Sequence, residues 1–347
     1  MESKAKLQLQ SPSIAPAHSV NERDKFRGRM KLTTRISKLY GLMHVHRGEM
    51  HANLSARGTL AIDIYLLDAA LCARTARSHG HDFSLISNDA DFLVSRLEQL
   101  NVDWVNVRQH NFTLAVPEGI PFYSAHHKID VLKAFGYGGF GDVVGLIDID
   151  TVFLRELPSW SGDAFAYDHS AAVFSAEGRD RIASDLERVA GRSIASPTWY
   201  GGEFTAGTTS FFAKLAPILE YCWPRYLNNL NNIHGIGDEM VVSAALNLAR
   251  LEGATIDDAG ERRAVARYWS SRTRNKMEPF STVSDVCLLH LPADKRFLAS
   301  QAYEERTASE FLSHFRRHAR LRIMRERIAN AVDYLRGRKL QHIPELV

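Results

Sequence analysis

An apolar run that two aspartates interrupt is the feature that most constrains this sequence. Residues 143–147 read Val-Val-Gly-Leu-Ile, and after Asp148 and Asp150 a mainly apolar stretch continues to Leu154. A strand buried on both faces has such an unbroken apolar run. Residues two apart on a strand point to the same side. The pattern therefore predicts a buried strand over residues 143–147, with two carboxylates emerging together at its end.

Two neighbouring carboxylates are costly to bury unless something neutralises them. A divalent cation with oxygen ligands does so, and Mg²⁺ or Mn²⁺ keeps coordination positions open for substrate phosphates. The carboxyl ends of parallel strands are also where open α/β sheets bind ligands. We therefore predict a Mn²⁺ or Mg²⁺ site at Asp148 and Asp150. The alternative is a pair of solvated turn aspartates.

The surrounding sequence alternates strand-like and helix-like patterns, which predicts βαβ units and a mostly parallel sheet flanked by helices. In the first half, strands are predicted at residues 39–46, 83–87, 102–107 and 143–147, and helices at 60–78, 90–100 and 124–135. In the second half, we predict a strand at residues 164–167, a strand that closes at Phe211 and Phe212, and helices at 179–189, from Pro217 and at 238–251. The expected fold class is thus α/β.

The cysteines and the N-terminal segment bound the cellular setting. Three scattered cysteines, Cys72, Cys222 and Cys287, argue against a disulfide framework or a zinc knuckle and favour a reducing compartment. No run of about 18 apolar residues exists. Residues 1–35 lack a signal-peptide core and are rich in Ser, Pro, Gln, Lys and Arg, which predicts disorder. We therefore expect a cytoplasmic protein.

Positive charge is concentrated at the C-terminus. The net charge is +3, but from Phe311 onward nine Arg and Lys residues face three acidic ones, so residues 1–310 carry −3. This distribution argues against nucleic-acid binding by the body of the protein. Residues 308–338 have the pattern of a basic amphipathic helix, which can lie on an anionic membrane at its inner face. The alternative is that the apolar stripe packs on the domain.

These boundaries divide the chain into a disordered segment (1–35), a catalytic domain (36–305) and a basic helix (306–347). Residues 128–158 resemble the core of the retaining glycosyltransferase families 8 and 6, such as the glycogenins and the bacterial lipopolysaccharide galactosyltransferases. Those families have a helix with a basic residue, a strand, an Asp-x-Asp motif and an apolar strand. The resemblance extends diffusely over residues 60–300. It implies a GT-A-type (Rossmann-like) fold.

The resemblance assigns donor-binding roles to three positions besides the aspartates. Lys128 falls where those families have a basic residue that contacts the donor. Residues 199–208 resemble their aromatic and glycine-rich segment, which places Gly207 against the sugar, although Thr205 stands where family 8 usually has Asn. Lys295 matches a lysine that contacts the diphosphate. The alternatives are an exposed lysine and a tight turn.

Three further positions match family residues close to the reacting centre. Asp238 and Glu239 open a helix where the families place an acidic pair beneath the anomeric carbon, so the resemblance implies a catalytic role. Helix capping is the alternative. His290 matches the third protein ligand of the metal, although its spacing to Lys295 is one residue shorter than usual. A structural histidine is the alternative.

The predicted function is metal-dependent transfer of a hexose, with retention of configuration, from a nucleotide-diphosphate sugar to a glycan or lipid-linked acceptor. The resemblance implies a UDP-sugar. One alternative is a sugar nucleotidyltransferase, although residues 44–48 supply no glycine-rich triphosphate loop. The other is a carbohydrate- or membrane-binding protein on a degenerate transferase fold. The G-x-G-x-x-G match at residues 136–141 follows a predicted helix and precedes a strand, which excludes a dinucleotide site there.

Overall fold

The structure is a computed structural model that describes residues 33–46, 58–275, 277–336 and 342–346. The strands are β1 (Lys38–Leu42), β2 (Phe83–Ser87), β3 (Asn106–Gln109), β4 (Val143–Ile147), β5 (Thr151–Phe153), β6 (Ala164–Asp168), β7 (Tyr200–Thr208), β8 (Ile256–Asp258), β9 (Val265–Arg267) and β10 (Leu288–His290). The helices are α1 (Gly58–Ser78), α2 (Ala90–Gln99), α3 (Lys128–Gly136), α4 (Ser170–Glu177), α5 (Arg179–Ala190), α6 (Thr209–Asn229), α7 (Asp238–Leu251), α8 (Phe280–Val283), α9 (Lys295–Ser300) and α10 (Ala308–Leu335). Most of the N-terminal segment that we predict to be disordered lies outside the described residues.

Seven strands form the main sheet, in the order β3-β2-β1-β4-β7-β6-β8. Strands β3, β2, β1 and β4 pair in parallel, as do β6 and β8, whereas β7 runs antiparallel to both of its neighbours. The prediction of an α/β fold with a mostly parallel sheet is therefore confirmed. The antiparallel β7 is the departure from a fully parallel arrangement.

Side chains on the two faces of the sheet enter two separate cores. Tyr40, Val144 and Leu146 pack on one face with residues of α3, α6 and α7. Leu39 and Ile147 pack on the other face with residues of α1 and α2. Alternate residues of one strand thus enter opposite cores, as the two-residue period of a strand requires. Each fully buried side chain of this size contributes roughly 1.5–3 kcal/mol.

A three-stranded sheet, β5-β10-β9, carries the segments that follow the main sheet. Strand β10 is antiparallel to β5, which opposes His290 to Thr151. The same strand is parallel to β9, which sets His290 beside Arg267. Because β5 begins directly after Asp150, this pairing brings His290 to the end of β4.

Several predicted elements differ from the structure. The first strand ends at Leu42 and not at residue 46, and the helix predicted from Pro217 begins at Thr209. The third strand lies at Asn106–Gln109 and not at 102–107. The apolar residues Val102 and Val105, which favoured the earlier start, are buried in the loop that precedes the strand. The predicted strand ending at Phe211 and Phe212 was wrong. Both residues belong to α6, whose N-cap is Thr208 and which contains Pro217. The Thr208 hydroxyl accepts a hydrogen bond from Phe211 N, which stabilises this earlier helix start.

Helix α10 has two apolar faces. Phe311, Phe315, Ala319 and Ile323 are buried, with Phe315 packed against Phe280 and Phe297. The exposed apolar residues Leu321, Met324, Ile328, Val332 and Leu335 recur at three- and four-residue steps. At 100° per residue they fall within an arc of about 80°, away from the buried face. The predicted apolar stripe is therefore two stripes, of which one packs on the protein.

No helix in the described ranges is both long and apolar enough to cross a membrane.

A cluster of histidines and aromatic rings lies beyond the end of β1. The rings of His44 and His127 stack with centroids 3.9 Å apart, and Phe112 and Tyr123 pack around them. His127 is buried, and neither of its ring nitrogens has a hydrogen-bond partner among the described residues. Burial, together with nearby histidines such as His44 and His126, lowers the pKa of His127 to about 3. The imidazole is therefore held in its neutral form.

We expect His127→Phe to reduce the loss of stability on acidification. The unfolded chain binds a proton at His127 below about pH 6.5, whereas the folded chain does so only near pH 3. The stabilisation is thus complete above pH 6.5 and is lost as the pH falls. From pH 7 to 5 this difference amounts to at most about 2 kcal/mol, which solvent screening reduces. Denaturant unfolding at both pH values measures it, and an equal loss in both proteins would contradict it.

Candidate active site

Three metal-ligand groups converge where β4 and β10 end. Asp148 and Asp150 follow β4, and His290 is the last residue of β10. His290 Nε2 lies 3.1 Å from Asp150 Oδ1 and 3.7 Å from Asp148 Oδ2. One ligand atom from each of the three residues lies within 4.8 Å of the others. The structure therefore brings together the three residues that we predict as metal ligands.

Each of the two predicted donor-binding lysines contacts one of the two aspartates that follow β4. Lys128 Nζ lies 2.6 Å from Asp148 Oδ1 and 3.1 Å from Asp238 Oδ2, and it donates a hydrogen bond to the Gly202 carbonyl. Lys295 Nζ donates hydrogen bonds to Asp150 Oδ2 and to the Pro292 carbonyl at 2.9 Å. Each of the two aspartates is thus paired with an ammonium group.

The electrostatics of the two aspartates differ. Burial, which Lys128 and His290 offset only in part, raises the pKa of Asp148. Burial opposes the charge of Asp150 as well, but Lys295 and His290 hold the pKa of this carboxyl well below its usual range. Although burial also disfavours an imidazolium, Asp150 and Glu203 raise the pKa of His290 to about 9. Asp150 is therefore the firmly ionised carboxylate of the pair.

The predicted acidic pair at the start of α7 points into the same region. Gly237 and not Asp238 occupies the N-cap position, and no side chain caps the helix. Asp238 pairs with Lys128 instead. Glu239 Oε2 accepts a hydrogen bond of 2.8 Å from Trp199 Nε1, and Glu239 Oε1 accepts one from Gly202 N. Glu239 is thus held by donors from outside its own helix.

Glu239 also contacts Arg267, which is not among the predicted site residues. Arg267 Nη2 lies 2.5 Å from Glu239 Oε1. Burial opposes ionisation of Glu239, but Arg267 lowers the pKa of this carboxyl. Arg267 also forms a two-point pair with Glu203 on β7, through Nε at 2.7 Å and Nη2 at 2.5 Å. Glu203 is completely buried, and its Oε1 lies 3.6 Å from His290 Nδ1.

Sequence reasoning missed Glu203 and Arg267, which are 64 residues apart. Arg267 lies in no recognisable motif, and the resemblance of residues 199–208 singles out Gly207 and Thr205 but not Glu203. The glycines that precede Glu203 were the available signal. A Cβ atom on Gly201 would lie 2.1 Å from Glu203 Oε2, and one on Gly202 would lie 2.7 Å from Asp238 Oδ2. Both glycines therefore admit carboxylates against the backbone of β7.

A cavity of about 460 Å³ contains most of these groups. Its lining includes Leu42, Met43, His44, Tyr65, Phe122, Lys128, Asp148, Asp150, Trp199, Asp238, Glu239, Arg267, Trp269, His290 and Lys295. The predicted Gly207 is not in this lining. It pairs with Val144 and Ala164 inside the sheet, and a Cβ there would lie 2.8 Å from the Phe211 ring. Thr205 is likewise paired with Leu146.

The rim of the cavity contains a residue in an unfavourable backbone conformation. Phe122 has φ 60° and ψ 35°, which is left-handed, and its side chain is exposed. Its carbonyl lies 2.9 Å from His126 Nδ1, while His126 Nε2 lies 2.8 Å from the Tyr226 hydroxyl. That hydroxyl accepts a hydrogen bond from Gly237 N. A buried network thus ties Phe122 to the start of α7.

The segment between His290 and Lys295 is braced by α10. Asp294 is almost completely buried and accepts a hydrogen bond from the Ser270 hydroxyl. Its Oδ1 also lies 3.0 Å from His318 Nε2 and 2.9 Å from Arg322 Nη1, both on α10. The helix therefore supplies the positive charge beside the residue that precedes Lys295.

The donor set suits a hard divalent cation such as Mn²⁺ or Mg²⁺. Two carboxylates and one imidazole leave room for further oxygen ligands. His290 Nδ1, which faces away from the aspartates, is buried without a hydrogen-bond partner among the described residues but faces Glu203. A carboxylate on this side of a ligating histidine is the usual arrangement in metal sites. Asp148, Asp150 and His290 could thus hold a metal ion.

Comparison with known proteins gives matches to solved structures. No family model matches the sequence, and no curated protein matches it. One similar solved structure is the crystal structure of the galactosyltransferase LgtC in complex with donor and acceptor sugar analogs. It has a TM-score of 0.43 and 10% sequence identity, and the match covers 76% of this chain and 95% of that chain.

Proposed function

We propose that this protein is a metal-dependent glycosyltransferase that uses a nucleotide-diphosphate sugar. One observation carries the proposal: a single cavity contains a candidate divalent-cation site, two lysines and an ionised glutamate. The cation and the two lysines would neutralise the charge of a diphosphate leaving group. The glutamate would stabilise a sugar centre that becomes positively charged. The sequence resemblance to families 8 and 6 supports the same proposal and favours a UDP-sugar.

Some residues of the cavity would bind the leaving diphosphate, and others would contact the sugar. A bound cation would act as a Lewis acid toward the departing diphosphate. Lys128 and Lys295 already lie on the aspartates and would turn toward phosphate oxygens, where an ammonium is an effective point charge. Glu239, which is held by Trp199, Gly202 and Arg267, would face the anomeric carbon. Arg267 keeps this carboxyl ionised, so its negative charge stabilises the oxocarbenium-like transition state.

The proposed reaction retains the configuration of the sugar. Glu239 and Asp238 lie on the same turn of α7. A carboxylate beneath the anomeric carbon stabilises the transition state of a front-side substitution, or it attacks the anomeric carbon as the diphosphate leaves, and the acceptor then displaces it. The exposed Phe122 ring and the half-buried Trp269 also line the cavity. Aromatic faces of this kind suit the apolar face of an acceptor sugar.

A panel of nucleotide sugars tests the proposal directly. With Mn²⁺ present, a UDP-hexose should raise the melting temperature, because a ligand that binds the folded state at 100 times its Kd contributes about 2.7 kcal/mol. UDP should be released on incubation with an acceptor or with water. Stabilisation without any release would favour a non-catalytic binding protein. Release of pyrophosphate from a nucleoside triphosphate and a sugar phosphate would favour the nucleotidyltransferase.

We also propose that α10 binds an anionic membrane surface, which would bring the cavity to a lipid-linked or surface glycan acceptor. The exposed apolar stripe defined above is bordered by exposed arginines on both sides. Arg325 and Arg336 lie on one flank, and Arg320 and Arg327 lie on the other. Anionic lipid contributes about 1 kcal/mol for each well-placed basic residue, and apolar burial adds to this. The charge pattern therefore matches a negatively charged interface.

Substituting glutamine for Leu321, Met324 and Ile328 together should weaken binding to phosphatidylserine vesicles roughly 100-fold. This follows if each side chain buries enough area to contribute about 1 kcal/mol. All three are exposed, so stability should change little. Vesicle sedimentation at low salt measures binding, and high salt should release the wild-type protein.

The matched control replaces three exposed apolar residues elsewhere, Leu60, Val94 and Leu251, with glutamine. It should bind vesicles like the wild type. Truncation after Glu310 is a poorer test, because it would also remove Phe311 and Phe315 from the core. Failure of the wild-type protein to bind anionic vesicles at low salt would refute the membrane proposal.

A further inference from the structure

One arginine lies between the candidate metal site and the candidate catalytic carboxylate. The Arg267 side chain is 9% exposed, and its Nη2 lies 2.5 Å from both Glu203 Oε2 and Glu239 Oε1. Its Nε holds the second oxygen of Glu203 at 2.7 Å. The planar guanidinium fork can satisfy both carboxylates at fixed angles, which a lysine ammonium does not do.

Glu203 in turn faces the inner nitrogen of the candidate metal ligand. Its Oε1 lies 3.6 Å from His290 Nδ1, while His290 Nε2 faces Asp150 and Asp148. A histidine that ligates through Nε2 carries its proton on Nδ1, and a nearby carboxylate fixes that tautomer and the ring orientation. Glu203 occupies the place of that carboxylate.

The backbone places these groups together without a loop. Arg267 and His290 are register partners on β9 and β10. Glu203 lies on β7, and its carbonyl accepts a hydrogen bond from Asp148 N at 3.1 Å. Because Gly201 has no side chain, the Glu203 carboxylate can lie against the strand. Strands therefore hold Glu203, Arg267 and His290, as a site that requires fixed geometry needs.

We propose that Glu203 and Arg267 are positioning residues that couple the metal site to Glu239. Glu203 fixes His290 so that Nε2 points at the two aspartates. Arg267 fixes Glu203 and, through the same Nη2, Glu239. The inference rests on the proposed function, because it assumes that Asp148, Asp150 and His290 bind a cation.

Manganese affinity, measured from the electron paramagnetic resonance signal of free Mn²⁺, tests the role of Glu203. Glu203→Gln keeps the size of the side chain and leaves the Arg267–Glu239 contact in place. Its Mn²⁺ Kd should rise roughly 10- to 100-fold, as expected for loss of a residue that orients a ligand. Arg267→Lys should weaken Mn²⁺ binding and also lower turnover at saturating Mn²⁺, because a single ammonium cannot reproduce the two-point contact with Glu203 together with the contact with Glu239.

Asp63→Asn is the matched control. Arg96 holds Asp63 by the same two-point geometry, with distances of 2.6 and 2.7 Å, but neither residue lines the cavity. This variant should keep the wild-type Mn²⁺ Kd even if it lowers the melting temperature as much as Glu203→Gln does. An unchanged Kd in Glu203→Gln, or an equal rise in both variants, would overturn the inference.

A measurement on the wild-type protein keeps the inference testable if Glu203→Gln does not fold. With ¹⁵N-labelled histidine and saturating Mg²⁺, His290 should show a proton on Nδ1 and none on Nε2, with the signal assigned from its loss in His290→Gln. A proton on Nε2 instead would overturn the inference. If the wild-type protein binds neither Mn²⁺ nor Mg²⁺, the proposed function fails first, which separates the two failures.

Discussion

Asp150→Asn should abolish Mn²⁺-dependent donor binding and lower turnover by about 10³-fold. Asp150 is the aspartate whose ionised form the site protects, since Lys295 and His290 hold its pKa well below the usual range. Asparagine keeps the size and one acceptor oxygen for Lys295 but removes the charge that a cation needs. A loss of about 4 kcal/mol of transition-state stabilisation corresponds to this factor. Calorimetric titration with Mn²⁺ and UDP-sugar, followed by rate measurements, checks both effects.

Asp185→Asn is the control for the effect of removing a buried aspartate. Asp185 Oδ2 lies 3.0 Å from His234 Nδ1, much as Asp150 lies beside His290, but it is on α5 and outside the cavity lining. This variant should lose stability and keep metal-dependent donor binding. Wild-type transfer by Asp150→Asn would show that the metal site is assigned to the wrong residues.

Glu239→Gln should lower turnover by roughly 10²- to 10³-fold while donor affinity stays within about threefold of the wild type. Glutamine has the same size and keeps one acceptor oxygen. That oxygen can still accept from Gly202 and Arg267, which share Oε1, whereas the hydrogen bond from Trp199 to Oε2 is lost. The substitution removes the negative charge that Arg267 maintains. This loss lowers the stabilisation of the transition state but not the affinity for the donor. Single-turnover rates and equilibrium binding of the donor separate the two quantities.

Helix electrostatics is the competing explanation for an effect at Glu239, and α5 offers a matched control. Glu239 is the second residue of α7, which begins after Gly237, and Asp180 is the second residue of α5, which begins after Gly178. Removing either charge costs about 0.3–1 kcal/mol of helix stability. Asp180→Asn should reproduce that loss without any effect on turnover. If Glu239→Gln loses only stability, Glu239 is a helix-terminus residue and not a catalytic one.

Local patterns predicted the parts of this fold that local physics determines. The apolar run at residues 143–147 is β4, and the helix at 238–251 is α7 with the same bounds. In both cases aspartates or glycines mark the ends of the element. Phe211 and Phe212 were misassigned because Pro217 normally marks a helix start. Thr208 caps α6 earlier, and packing of α6 against α3 and α7 tolerates proline inside the helix.

The candidate site was predictable only in part, for a related reason. Asp148 and Asp150 were apparent from one strand, and the family resemblance indicated Lys128, His290 and Lys295. Glu203 on β7 and Arg267 on β9 belong to different sheets and meet only in the tertiary structure, which no local pattern encodes. Gly207, which we predict at the sugar, does not line the cavity, because residues 204–208 of β7 pair with β4 inside the main sheet. Long-range contacts are thus what the sequence left unresolved.

If α10 docks on a membrane as proposed above, its contacts with Asp294 have a mechanical consequence. Arg322 and His318, in the middle of α10, contact the Asp294 carboxylate. Lys295 is the next residue in the chain. Packed helices shift as rigid bodies more readily than they bend. A displacement of the exposed stripe of α10 would therefore also move Lys295 and, through its ion pair, Asp150. The helix would then couple movements at the protein surface to the charged residues of the cavity.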